Sequence, residues 1–178
     1  VRAGLVRRIA IDRLLLRDGP AVRQVDAHRR RVVAGRVDGR VDAHAHSWDG
    51  GLLGRACALE LARGGADVAI CARTEGPLET ARDEIAEETG RRIVAVTADL
   101  TSEPDIASLV AATLDAFGTI DVLVTNAGGP PSGPFMDFDD GTWMRAVELN
   151  LMSVVRLNRA VIPIMREAGG GSIVNLTS

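Results

Sequence analysis

Along the second two-thirds of the chain, short apolar runs alternate with longer segments whose apolar residues recur every three or four positions. The most telling run covers residues 120–129, IDVLVTNAGG, where aliphatic residues broken only by Asp121 stop abruptly at Asn126-Ala127-Gly128-Gly129 and then Pro130-Pro131. A nearly continuous apolar run with such a stop predicts a strand buried on both faces, as in parallel sheets. Ligands in an open parallel sheet sit just past the carboxyl ends of strands, so 126–129 is a candidate cofactor floor. Glycine lets the backbone approach a ligand closely, and an Asn amide offers both donor and acceptor.

Taken in order from Leu52, the pattern predicts a helix over 52–63 with Leu53, Cys57 and Leu61 on one stripe, stopped by Gly64-Gly65. A strand follows over 67–72 (DVAICA), then an acidic amphipathic helix over 75–89 with Leu78, Ala81, Ile85 and Ala86 inward. The next strand is 92–97 (RIVAVT), ending at Ala98-Asp99. Ser102-Glu103-Pro104-Asp105 has the spacing of a capping box with Pro in the first turn. Ile106, Leu109, Val110, Thr113, Leu114 and Phe117 continue at helical spacing until Gly118. Beyond a Pro/Gly loop over 130–134, a long helix is expected over 139–168. Its inner face is read as Trp143, Ala146, Val147, Asn150, Leu151, Val154, Val161 and Met165. Gly169-Gly170-Gly171 stops it, and 172–178 (SIVNLTS) begins as another buried strand.

Strands alternating with helices of 10–15 residues give βαβ units and a parallel sheet with right-handed crossovers. The expected fold is α/β, a Rossmann-like doubly wound parallel sheet, partial, with its first strand and C-terminal third missing or aberrant. Polar or glycine residues gather at the strand ends (Arg73, Asp99, 126–129, Thr177-Ser178) while the strand bodies are apolar. Polar groups on one rim of a hydrophobic sheet form the pattern of a nucleotide site.

Residues 1–48 break this order. They hold eleven Arg and five Asp, against ten Arg and nineteen acids in residues 49–178. Their apolar rhythm is weak, and they carry Arg29-Arg30-Arg31 and a near-repeat, GRVDGRVD, over 35–42. The expected division is an atypical, poorly ordered Arg-rich segment over 1–48 and a partial nucleotide-binding domain over 49–178. A secretory signal does not fit the interrupted apolar stretch, and the first Ser is Ser47. With no aromatic residue interleaved among its arginines, the segment is not read as a nucleic-acid site. His44 and His46, an alternating pair, suggest the metal site of an amidohydrolase fragment, but the only other His is His28 and the chain holds no Lys. No apolar run reaches the roughly 20 residues that span a bilayer. Cys57 and Cys71 are read as buried free thiols in a reducing, cytoplasmic setting.

From about Leu52 to the end, the sequence resembles the classical short-chain dehydrogenase/reductase family, near its bacterial 3-oxoacyl-acyl-carrier-protein reductase-like members. The residues that carry the resemblance are Asn126-Ala127-Gly128 after a strand, Asp99 at the preceding strand end, Asn150 in the long helix, and 173–178 (IVNLTS). The resemblance implies hydride transfer between a nicotinamide and a small carbonyl or alcohol substrate. Asp99 would bond the adenine, or else is a solvated acid beside a helix. Asn126, Ala127 and Gly128 would line the cofactor, or form a plain turn. Asn150 would hold a water in a proton relay, or is a satisfied core amide. Ser178 would polarise the substrate carbonyl. Ala72 stands where NAD-users carry an acid and Arg73 follows, which favours NADP, with NAD possible. The long helix, with Trp143 and Leu151, would face a partner in a homo-oligomer.

The resemblance has gaps. Placing the last glycine of the family's Thr-Gly-x-x-x-Gly-x-Gly turn on Gly54 sets Ser47, Trp48 and Leu52 at the Thr and first two Gly positions. The preceding stretch, 40–46, would carry Asp42, His44 and His46 on one face of a central strand. Residues before about Asp49 are therefore expected to be foreign to the family, as if read in another frame or from a misplaced start. The chain also has no Tyr and no Lys, so the family's Tyr-x-x-x-Lys relay cannot be supplied from within it, and this fragment is expected to be inactive. A non-catalytic nucleotide-binding or assembly module is the alternative from another class.

Overall fold

In the computed structural model, described for residues 31–34, 51–128 and 132–176, five parallel strands form one sheet. The strands are β1 (Arg31–Ala34), β2 (Asp67–Ala72), β3 (Ile93–Thr97), β4 (Val122–Asn126) and β5 (Ser172–Leu176), in the spatial order β3-β2-β1-β4-β5. The helices are α1 (Gly51–Arg63), α2 (Glu75–Thr89), α3 (Glu103–Phe117), α4 (Asp140–Val147) and α5 (Ser153–Glu167). A π-helical segment, Glu148–Met152, joins the last two.

Two apolar cores cover the two faces of the sheet, which makes it doubly wound. On one face Val32, Val68 and Ile70 pack against Ala58 and Ala62 of α1 and Leu78 and Ile85 of α2. On the other, Val33, Cys71 and Leu123 meet Ile106 and Leu109 of α3 and Leu157 and Val161 of α5. Adjacent residues of β1 thus feed opposite cores, as the two-residue period of a strand requires.

The first strand is where sequence and structure part most clearly. Aligned on the family's glycine turn, it would fall at 40–46, where the pattern does not suit a central strand, and 1–48 is expected to be poorly ordered. The structure puts it at Arg31–Ala34, paired with β2 (Val32 with Val68) and with β4 (Val33 with Leu123). The central strand is therefore present, though only four residues long. It starts inside a run of three arginines, which hides the two valines from a search for apolar alternation. Arg31 is anchored there, its N–H donating to Asp121 Oδ2 at 2.8 Å. Residues 40–46, with His44 and His46, and His28 lie outside the described residues.

Helices α2 and α3 bury the predicted faces: Leu78, Ala81 and Ile85 in α2, and Ile106, Leu109, Val110, Thr113 and Phe117 in α3. Each ends on a left-handed glycine, Gly90 at φ 65° and Gly118 at φ 80°. Ser102 caps α3 by accepting the Asp105 N–H.

Two predicted faces need correction. In α1 the buried stripe is Gly54, Ala58 and Ala62, one position beyond the predicted one, and Leu53 is exposed. Small side chains bring this helix close to the sheet, so the apolar residues of largest size are not the innermost. In the long helix, Trp143, Val147 and Leu151 are exposed, while Ser153, Leu157, Val161 and Met165 are buried. The π-helical segment inserts extra backbone into the repeat, so a face extrapolated from one half misses its continuation in the other.

Candidate functional site

Parallel pairing fixes where the strands end. Ala72 lies opposite Thr97, and Asn126 lies opposite Leu176, so β2, β3, β4 and β5 reach the same edge of the sheet together. The strand order reverses between β1 and β4, and the crevice at such a reversal is where α/β sheets bind ligands.

A cleft opens over this rim. Its walls are Cys71, Ala72 and Arg73 after β2; Ala98, Asp99 and Leu100 after β3; Asn126, Ala127 and Gly128 at the end of β4; and Leu149 from the π-helical segment. Five of the predicted site residues, Arg73, Asp99, Asn126, Ala127 and Gly128, are therefore brought together. Asn126 is buried and Arg73 is exposed at the opening.

The Asp99 wall is tightly organised. Ala98 N–H donates to the Ala72 carbonyl at 2.9 Å, which carries the β2–β3 pairing one residue further. Asp99 N–H donates to Asp105 Oδ2 at 2.8 Å, tying the loop to the first turn of α3. Asp99 Oδ1 accepts from Thr101 N–H at 2.9 Å and from Thr101 Oγ1 at 2.8 Å. The Thr101 N–H bond holds the Asp99 carboxyl below the usual carboxylate range. Partial burial opposes the shift, while the Thr101 hydroxyl and the Arg73 charge add to it. Asp99 is thus an anion at neutral pH, with a cation across the opening.

Two predicted residues stand apart. Asn150 lies in the π-helical segment, half-buried, and its Nδ2 donates to the Ala146 carbonyl at 3.0 Å; the cleft is lined by its neighbour Leu149. Gly54 belongs to the buried stripe of α1. Ser178 lies outside the described residues. The sequence reading missed Thr101 and Leu149. An Asp-x-Thr spacing, a common self-bonding turn, marks Thr101, whereas nothing local marks the π-helical segment that aims Leu149.

The donor set fits one half of a dinucleotide: a carboxylate able to accept from an exocyclic amine, a guanidinium for a phosphate, and a small-residue floor for close approach. Fold and cleft together define a Rossmann-type nucleotide-binding protein. Comparison with known families then places it more narrowly. The short chain dehydrogenase family matches residues 49–178, and the chain belongs to that oxidoreductase family. A candidate ketoacyl reductase of Streptomyces coelicolor is 39% identical over 128 residues, 71% of this chain and 49% of that protein. The F189W actinorhodin polyketide ketoreductase, solved with NADPH, superposes with a TM-score of 0.71 at 34% identity, covering 84% of this chain and 53% of that one. A 7α-hydroxysteroid dehydrogenase, solved with NADH and 7-oxo glycochenodeoxycholic acid, superposes with a TM-score of 0.69 at 31% identity, covering 84% and 53%. The chain spans about half the length of the curated relatives it matches. Among the described residues, no helix is long and apolar enough to cross a membrane.

Proposed function

We propose that this chain forms the dinucleotide-binding part of a cytoplasmic NADP(H)-dependent reductase acting on a small carbonyl or alcohol, of the 3-oxoacyl reductase type. The observation that carries the reading is the convergence of Arg73, Asp99, Asn126, Ala127 and Gly128 on one cleft. A bound nicotinamide dinucleotide would supply the hydride. Asp99, held ionised by Thr101, would accept from the adenine amine. Arg73, at the end of β2 without an acid before it, would pair with a ribose 2′-phosphate. Asn126, Ala127 and Gly128 would form the floor, Gly54 would allow close helix packing beside the phosphates, Asn150 would position a water, and Ser178 would polarise the substrate oxygen. The named ketoreductase relatives support a keto-acyl substrate for the whole protein.

Titration of the purified chain with NADPH and NADH, followed by fluorescence, tests this. NADPH is expected to bind more tightly, and Arg73→Ser to weaken NADPH by about tenfold while leaving NADH unchanged, the scale of one charge-assisted hydrogen-bond partner. Binding of neither dinucleotide overturns the reading. Because the chain contains no Tyr or Lys, it is expected to bind without turnover. NADPH oxidation above a buffer control would overturn that part alone.

A second reading, an assembly module, draws on the exposed apolar residues Trp143, Val147, Leu151, Val155 and Ile162 of α4, the π-helical segment and α5. A homo-oligomer formed through 139–168 would cover it and is compatible with cofactor binding.

A further inference from the structure

Two walls of the cleft come from distant parts of the chain. The Asp99 loop follows β3, and Leu149 rides on the π-helical segment about fifty residues later. One side chain touches both supports. Arg156 of α5 donates through Nη1 to Glu148 Oε2 at 2.7 Å and to the Thr101 carbonyl at 3.4 Å. Its Nε lies 3.4 Å from Glu103 Oε1, on the first turn of α3. Thr101 is the residue that grips Asp99, and Glu148 immediately precedes Leu149. The Arg156 side chain is 18% exposed while Glu148 and Glu103 are 42% and 72% exposed, so the guanidinium is covered but its carboxylate partners are at the surface.

We propose that Arg156 is a positioning residue that ties the Asp99 wall to the Leu149 wall and so sets the width of the dinucleotide cleft. This rests on the cleft being the cofactor site. The guanidinium suits the task because its Nη1 bridges a carboxylate on one element and a carbonyl on another while its Nε faces a second carboxylate, on Glu103. A lysine ammonium gathers its three donors on one nitrogen at the end of a flexible stem, so it does not span the same three partners. Arg156 acts through Glu148 and Thr101, which carry the two walls.

The test uses the full chain and the variants Arg156→Met, Arg156→Lys and Glu148→Gln. Met keeps the stem but loses the guanidinium, Lys keeps the charge, and Glu148→Gln removes the partner's charge. Hydrogen exchange read by mass spectrometry is expected to speed up in both 98–102 and 148–152 in Arg156→Met, with β2 and α1 unchanged. NADPH affinity should fall roughly tenfold in Arg156→Met, within the range for residues that act on a site through others. Arg156→Lys should recover only part of it. Glu148→Gln should add little to Arg156→Met, since both break one link. Equal exchange in either segment overturns the proposal, as does full recovery of NADPH affinity by Lys or an additive double variant. If Arg156→Met does not fold, Lys and Glu148→Gln carry the same comparisons. Absence of NADPH binding by the unaltered chain would count against the cofactor reading alone, and the exchange comparison would still decide the role of Arg156.

Discussion

Truncating β1 tests the architecture on which the whole rim depends. Val33→Ala removes two methyl groups from a side chain that is 1% exposed, set between Ala69 of β2 and Leu123 of β4 and packed among Cys71, Ile106 and Leu157. At about 0.8 kcal/mol for each buried carbon group, the lost transfer energy is about 1.6 kcal/mol. Strands on both sides prevent collapse, so a cavity term of about 1 kcal/mol is added, giving about 2–3 kcal/mol in all. For a chain of this size the melting temperature should fall by about 5–10 °C. Val32→Ala, which opens the other core, should cost a similar amount. Thermal and urea unfolding followed by circular dichroism measure both, with an unchanged urea slope showing that the native state is otherwise intact. If both variants stay within about 0.5 kcal/mol of the parent, the range of an ordinary surface change, then Arg31–Ala34 does not form the centre of the sheet.

Two further outcomes are expected. The folded Asp99 carboxyl titrates below its unfolded value, so its contribution to stability is fully present above the unfolded range, near pH 4, and disappears as pH falls through the lowered folded value. Melting of Asp99→Asn against the parent should therefore show a gap at pH 6 that narrows by pH 3; a gap independent of pH would refute the assignment. Ser102→Ala removes the cap at the start of α3, where Ser102 Oγ accepts from Asp105 N–H and donates to Asp105 Oδ1 at 2.9 Å. It should cost about 1 kcal/mol, read as a melting shift of roughly 2–4 °C, and no shift would show the cap to be idle.

Those parts of the molecule that depend on short-range chemistry were readable along the chain. β2 over Asp67–Ala72 and α2 over Glu75–Thr89 were legible to the residue, because an apolar run and a 3.6-residue repeat are each bounded by unmistakable stops. The residues that line the rim were legible too, since Arg73, Asp99 and Asn126-Ala127-Gly128 stand at or just after the ends of such runs. Tertiary structure decided what a local pattern does not carry. Val32 and Val33 become a central strand only because β2 and β4 offer backbone partners on either side and cores above and below. Gly54, Ala58 and Ala62 become the inner stripe of α1 because proximity to the sheet selects small residues over greasy ones. The π-helical segment turns Leu149 toward Asp99, although Asn150 had the more eloquent sequence signal, since a helix's phase is set by its packing over several turns. Short-range propensities name the pieces and their ends; which piece lies beside which, and which side chains meet across a cleft, is settled by long-range burial that no window of sequence contains.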